Sequence, residues 1–175
     1  MTPRELEEYR ALRATIRERG TARFWVFLAG LAAWAGLTLA TLFLASMPMA
    51  ALLPLLTLAA TFEAVTSLHT GVERIGRYIQ VFFEDEATDR GWEHRITKFG
   101  AMGRLSGDPL FTIYFFAAAL FNFVPVLLAD AVPIEYGVVG AFHVLFIARL
   151  VAARRAAGRQ RAADRERFQR IKSEP

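Results

Sequence analysis

The chain has 175 residues, 54% of them hydrophobic and 22% charged, with 21 Lys or Arg against 17 Asp or Glu. It has no cysteine, which excludes disulfide staples, thiolate metal sites and cysteine nucleophiles. The charge is segregated: the 39 residues from Phe24 to Phe62 carry no charged side chain. A soluble domain of this size needs no such run, whereas a bilayer-spanning helix needs about 20 apolar residues.

The chain opens with Thr2, Pro3 and Glu5, a capping box with proline at the first helical position. Leu6, Tyr9, Leu12 or Arg13, and Ile16 follow as a narrow apolar stripe. Residues 1–23 are expected to form an amphipathic helix feeding straight into a first span over 24–45. They are too long and too mixed in charge for a cleaved signal peptide. Ser46-Met47-Pro48-Met49 marks a tight turn, and a second span is expected over 50–70. Pro54 is expected to kink it.

The second helix does not end at the apolar limit. Val65, Leu68, Val72, Ile75, Ile79 and Phe82 recur at alternating steps of three and four, a heptad-like seam. Taken from Ala50 to Phe83 the helix would be about 50 Å long, against a hydrocarbon core of about 30 Å. It must project from the membrane or bend at Gly71 or Gly76. The seam needs a partner: the N-terminal helix, the C-terminal helix or the same helix in another subunit.

Glu84-Asp85-Glu86 ends that pattern, and an acidic cluster is unfavourable at a helix C-terminus. Trp92, Ile96 and Phe99 then space as a short amphipathic piece suited to a membrane surface, broken by Gly100, Gly103 and Gly107. Asp108-Pro109 reads as N-cap and first position of a third span over 109–129, with Pro125 expected to loosen it. A turn at Asp130–Ile134 leads to a fourth span over 133–153. The basic tail, 154–175, continues that helix with a weakly apolar face of Ala157, Arg161, Asp164, Phe168 and Ile171. The fold class expected is all-α: an integral membrane protein with four transmembrane helices arranged as two hairpins. The cytoplasmic parts are the N-terminal helix, the insertion 71–108 and the C-terminal helix.

Orientation follows from the basic residues. Six lie between Arg4 and Arg23, six between Arg74 and Arg104, and nine between Arg149 and Lys172, while neither tight turn contains any. Short loops rich in Lys and Arg stay cytoplasmic, so both termini and the central segment are expected inside. Only Lys98 and Lys172 are lysine, and with the abundance of alanine this points to a GC-rich bacterial genome and an inner-membrane location.

Ionisable and polar residues inside spans are costly and mark structure or function. Counted at 1.5 Å per residue, Glu63 and Arg149 both lie about 20–24 Å below the outer surface, and an ion pair between them would let each neutralise the other. Glu63, Thr66, Thr70, Glu73 and Arg77 also line one side of the second helix, and two uses are open: a cation or proton track, or a structural pair. Nearer the outside, Thr57, Asn122 and His143 share a level. An Asn122–His143 hydrogen bond and a proton-relay histidine are the two readings there. The small-xxx-small sets Ala32, Gly36, Ala40 and Gly137, Ala141 permit close helix approach.

His69 stands alone, and no HExxH, paired histidine or carboxylate cluster suggests a metal. Nucleotide loops, serine elbows and kinase motifs are missing too, so no cofactor and no enzymatic activity are expected. Membrane lipids are the expected partners. A second copy or another protein would meet the cytoplasmic helices through the seam Val65, Leu68, Val72, Ile75, Ile79 and Phe82. Nucleic acid is not expected, since a basic helix beside a membrane has a cheaper explanation in anionic lipid. Two functions remain: a non-catalytic membrane scaffold, or a small oligomeric channel or proton/cation transporter using Glu63 or the Asn122/His143 layer. A lipid-handling enzyme is the weakest, because Glu63, His69 and the acids of 84–95 assemble into no catalytic set.

Overall fold

The structure is a computed structural model describing residues 1–43, 47–84, 91–96, 108 and 110–174. Among these residues every regular element is helical. Helix α1 runs Pro3–Phe43, and a 3-10 turn at Pro48–Ala51 leads into α2, Leu52–Phe82. Residues 92–96 form a short helix, α3. Then come α4, Thr112–Asn122, α5, Val124–Leu128, and α6, Pro133–Ser173. Three stretches are long and apolar enough to cross a membrane: Pro3–Phe43, Pro48–Phe82 and Pro133–Ser173. The expected third span is different. Its apolar helix, Thr112–Leu128, is short and interrupted. Pro125 lacks an N–H and its ring crowds the preceding turn, so Phe123 closes α4 with its N–H on the Leu120 and Phe121 carbonyls, and α5 starts afresh.

Helix ends follow local chemistry. The Thr2 N–H bonds Glu5 Oε2 at 2.7 Å and the Glu5 N–H returns to Thr2 Oγ1 at 3.3 Å, a reciprocal capping box. The expected kink at Pro54 is not a break. Proline sits in the first turn of α2, where its missing N–H had no intrahelical partner to lose. The expected start at Asp108-Pro109 moves to Thr112, with Phe111 as N-cap in the left-handed region at φ 51°. Asp108 still serves the helix: Oδ2 accepts the Ile113 N–H at 3.1 Å and Oδ1 the Thr112 hydroxyl at 3.1 Å. Phe111 bears its unfavourable φ while stacked on Phe27 at 4.2 Å between ring centroids.

The chain divides into two compact units. One comprises Arg23–Thr66 and Asp108–Arg154. Its core is aromatic and aliphatic, with Phe62 edge-on to both Phe115 and Phe146 and Leu58, Val65, Ala119 and Leu150 sealed around them. Its surface is apolar as well: Trp25, Leu53, Leu56, Ile113, Phe121, Leu127 and Leu145 are each about 60% exposed or more. Gly30 is the closest approach in this unit, because a Cβ there would collide with the Thr61 side chain. Gly36 and Gly137, the members of the expected small-residue patterns, face open space.

The other unit comprises Met1–Ala22, Ser67–Gly107 and Arg155–Pro175. Here the charged ends of α1, α2 and α6 pack around Tyr78, which meets Phe82 and Phe168 by its ring and Glu8 by its hydroxyl at 2.9 Å. Tyr9 packs on Phe83, and Lys172 Nζ donates to the Val81 carbonyl at 2.6 Å. The α2 helix is unbroken through Gly71 and Gly76. Those glycines make room instead: a Cβ would meet the Arg19 guanidinium at one and Glu93 at the other.

Candidate functional site

Asn122 is the polar centre of the apolar unit. It closes α4 and is fully buried. Its Oδ1 accepts the Trp34 indole N–H at 3.2 Å and lies 3.5 Å from the Thr38 hydroxyl, both on α1. Its Nδ2 donates to the Ala51 carbonyl of the 3-10 turn at 2.9 Å and meets His143 Nε2 on α6 at 3.1 Å. His143 Nδ1 in turn meets the Val139 carbonyl at 2.8 Å. The chain of donors is self-consistent. A carbonyl can only accept, so His143 carries its proton on Nδ1, which leaves Nε2 as the acceptor for the amide. That is the pattern of a neutral ring. One amide thus ties four elements, with both amide hydrogens and the oxygen engaged, while the Thr38 hydroxyl gives its own proton to the Trp34 carbonyl at 2.9 Å.

Glu63 and Arg149 form the second polar feature. Arg149 Nη2 lies 2.8 Å from Glu63 Oε2, and Nε lies 2.8 Å from Oε1, the two-point fork of guanidinium on carboxylate. The Arg149 guanidinium also sits over the Phe62 ring at 5.8 Å. The pair is half-exposed and stands at one end of a groove of about 420 Å³ between α2 and α6. The rest of the expected polar track is divided in its surroundings: Glu73 joins Arg161 at 3.1 Å and Arg77 at 3.5 Å, and Arg77 Nη1 donates to the buried Gln80 at 2.7 Å. The Thr57 hydroxyl, placed by depth with Asn122, bonds the Leu53 carbonyl at 3.2 Å.

Of the seam residues, Val65 and Ile79 are fully buried, and Leu68, Val72, Ile75 and Phe82 are half-buried. In the charged unit both the N-terminal and the C-terminal helices cover this part of α2, through the Tyr9, Glu8, Phe168 and Lys172 contacts above. The tail face meets α2 as well, by Arg161 on Glu73 and Asp164 near Arg74 at 3.8 Å, while Ile171 stays exposed. His69 is buried beside Thr70, Glu73 and Arg161 in a cavity of about 20 Å³, the space of one water.

One cluster escaped sequence reasoning. Glu84, read as a poor helix end, serves the next helix. Its carboxylate accepts the Glu93 N–H at 2.9 Å and the His94 N–H at 3.0 Å, and its Oε2 lies 2.9 Å from His94 Nδ1. It therefore caps α3 at the positive end of its dipole. Gly91 leaves room for it, since a Cβ there would displace the Glu84 carboxylate. Arg13 binds Glu93 at 2.6 Å, with Glu84 at 3.8 Å and the Tyr9 hydroxyl at 3.1 Å. Burial pushes the Glu93 carboxyl above its ordinary range, and the pull of Arg13 in the other direction does not cancel it. The glycine seven residues beyond Glu84 was the only local signal of this cap. Trp92 and Ile96 are exposed on α3, while Phe99, Gly100, Gly103, Gly107, Asp85 and Glu86 lie outside the described residues. Among the described residues, no group of three His, Asp or Glu side chains could hold a metal.

Comparison with family models, with curated proteins and with solved structures returns no match.

Proposed function

We propose that the chain is a multi-pass membrane protein without catalytic activity, acting as a scaffold whose charged unit holds a partner or a second copy. Three long apolar helices support membrane association, and the broken helix Thr112–Leu128 supplies the fourth crossing. Seventeen residues reach about 25 Å, short of the usual hydrocarbon core of about 30 Å but at the lower limit for a span. A unit apolar both within and on its surface belongs in lipid, where no water contests the exposed Trp25, Leu56 and Leu145. The distribution of basic residues supports a cytoplasmic side for both termini and the 71–108 segment, in what we take to be a bacterial inner membrane.

The observation that carries the scaffold reading is the occupancy of Asn122. Its two amide hydrogens are engaged by Ala51 and His143 and its oxygen by Trp34, so this layer serves to join helices and offers no vacant relay. The competing reading, a proton or cation path in an oligomer, draws on the half-exposed Glu63–Arg149 pair. Liposome flux separates them. Purified protein reconstituted with a pH-sensitive dye inside is expected to leak no faster than empty vesicles, and Glu63→Gln to change nothing. Flux that the wild type supports and Glu63→Gln abolishes sinks the scaffold reading.

A further inference from the structure

The groove between α2 and α6 has a floor of Leu55 and Phe146, which are buried, and rims of Leu56, Phe142 and Leu145, which are more than half exposed. Its only polar lining is the Glu63–Arg149 pair at one end. From Leu52 to Glu63 it runs about 16 Å along α2, an elongated apolar surface with a single polar terminus, which suits one acyl chain and its head.

The pair has bonding capacity in reserve. A guanidinium has five N–H donors and a carboxylate about four acceptor sites. The two contacts at 2.8 Å leave about three donors and two acceptor sites free. The Glu63 side chain is 51% and the Arg149 side chain 44% exposed, so the remaining groups can be reached. A ligand offering both an anion and an ammonium would satisfy both without parting the pair. A purely anionic head would answer Arg149 and meet repulsion from Glu63.

We propose that this groove seats one acyl chain of a zwitterionic phospholipid, with its phosphate on Arg149 and its amine on Glu63. The inference rests on the membrane reading above, in whose orientation the polar end of the groove lies in the cytoplasmic half of the bilayer and the apolar end runs from there toward the outer surface.

The test uses vesicles of phosphatidylethanolamine and phosphatidylglycerol in equal parts. Protein reconstituted in them is re-extracted in mild detergent and weighed by native mass spectrometry. The wild type is expected to retain one phosphatidylethanolamine per chain. Ala59→Phe, which fills the groove, is expected to lower retention about tenfold or more. Leu145→Phe, at an exposed rim position that does not disturb the core, is expected to lower it in the same direction. Arg149→Gln is expected to bring the retained lipids back to the vesicle ratio. Preferential retention of phosphatidylglycerol, no retained lipid, or a dimer that buries the groove would each overturn the proposal. An alkaline wash of the vesicles keeps the two readings apart. A chain that washes off refutes membrane insertion itself, whereas a chain that stays embedded but bare refutes only the lipid site.

Discussion

Replacing Asn122 by leucine tests the hydrogen-bond hub directly. Leucine keeps the branched outline of asparagine and is somewhat bulkier, so the change removes polar atoms without opening a cavity. It strands the Trp34 N–H, the Ala51 carbonyl and His143 Nε2, the three well-formed contacts at 3.2, 2.9 and 3.1 Å. Hydrogen bonds between helices in membranes average about 0.6 kcal/mol and reach about 1.7. Three of them therefore predict a loss of about 2 to 5 kcal/mol. His143→Leu strands only the Asn122 arm on that side, so it should cost about a third as much from this source. The double-mutant cycle between the two should return a coupling of about 0.6 to 1.7 kcal/mol. Reversible unfolding in mixed micelles, followed by tryptophan fluorescence, measures all four states. If Asn122→Leu unfolds within about 0.5 kcal/mol of the wild type, the amide does not hold the helices together and the argument from its occupancy fails.

Two further outcomes follow from close packing and from burial of charge. Gly30→Ala drives a Cβ into Thr61, whose hydroxyl is already bonded to the Thr57 carbonyl at 2.7 Å. The Thr61 Cβ itself would lie only 2.7 Å from the new one, which no rotamer change relieves, so a loss of about 1–3 kcal/mol is expected in the same unfolding assay, while Gly36→Ala, which meets nothing, should cost nothing and gain up to about 1 kcal/mol from helix propensity. Glu93 holds its proton more tightly folded than unfolded, so its contribution to stability is complete below the ordinary carboxylate range and is lost as pH rises through the raised value. Thermal scans from about pH 4 to about pH 8 should show Glu93→Gln gaining on the wild type as pH increases, and parallel curves would refute the burial argument.

How much of this was legible in the chain depends on whether the cause is local. The uncharged run from Phe24, the capping box at Thr2, the break at Pro125 and the depth of Glu63 relative to Arg149 all follow from composition, spacing and a rise of about 1.5 Å per residue. These properties hold whatever the helices pack against, and the extent of α6 as one helix from Pro133 belongs with them. Proline's effect is local too, but it depends on register: Pro125 interrupts a helix while Pro54, in a first turn, does not.

Tertiary structure decided the rest, because helical periodicity states which residues share a face and is silent on which face finds which neighbour. Asn122 could be placed at the level of His143, but the Trp34 and Ala51 arms required the first helix and the 3-10 turn to arrive beside it. Gly30, not Gly36, became the site of close approach because the rotation of α1 turned that side to Thr61. Glu84 looked like a charge at the wrong end of α2, and became the cap of α3 only because the start of α3 packs against its carboxylate. A side chain's donors and acceptors are fixed by its chemistry, whereas its partners are fixed by the packing of elements distant in sequence.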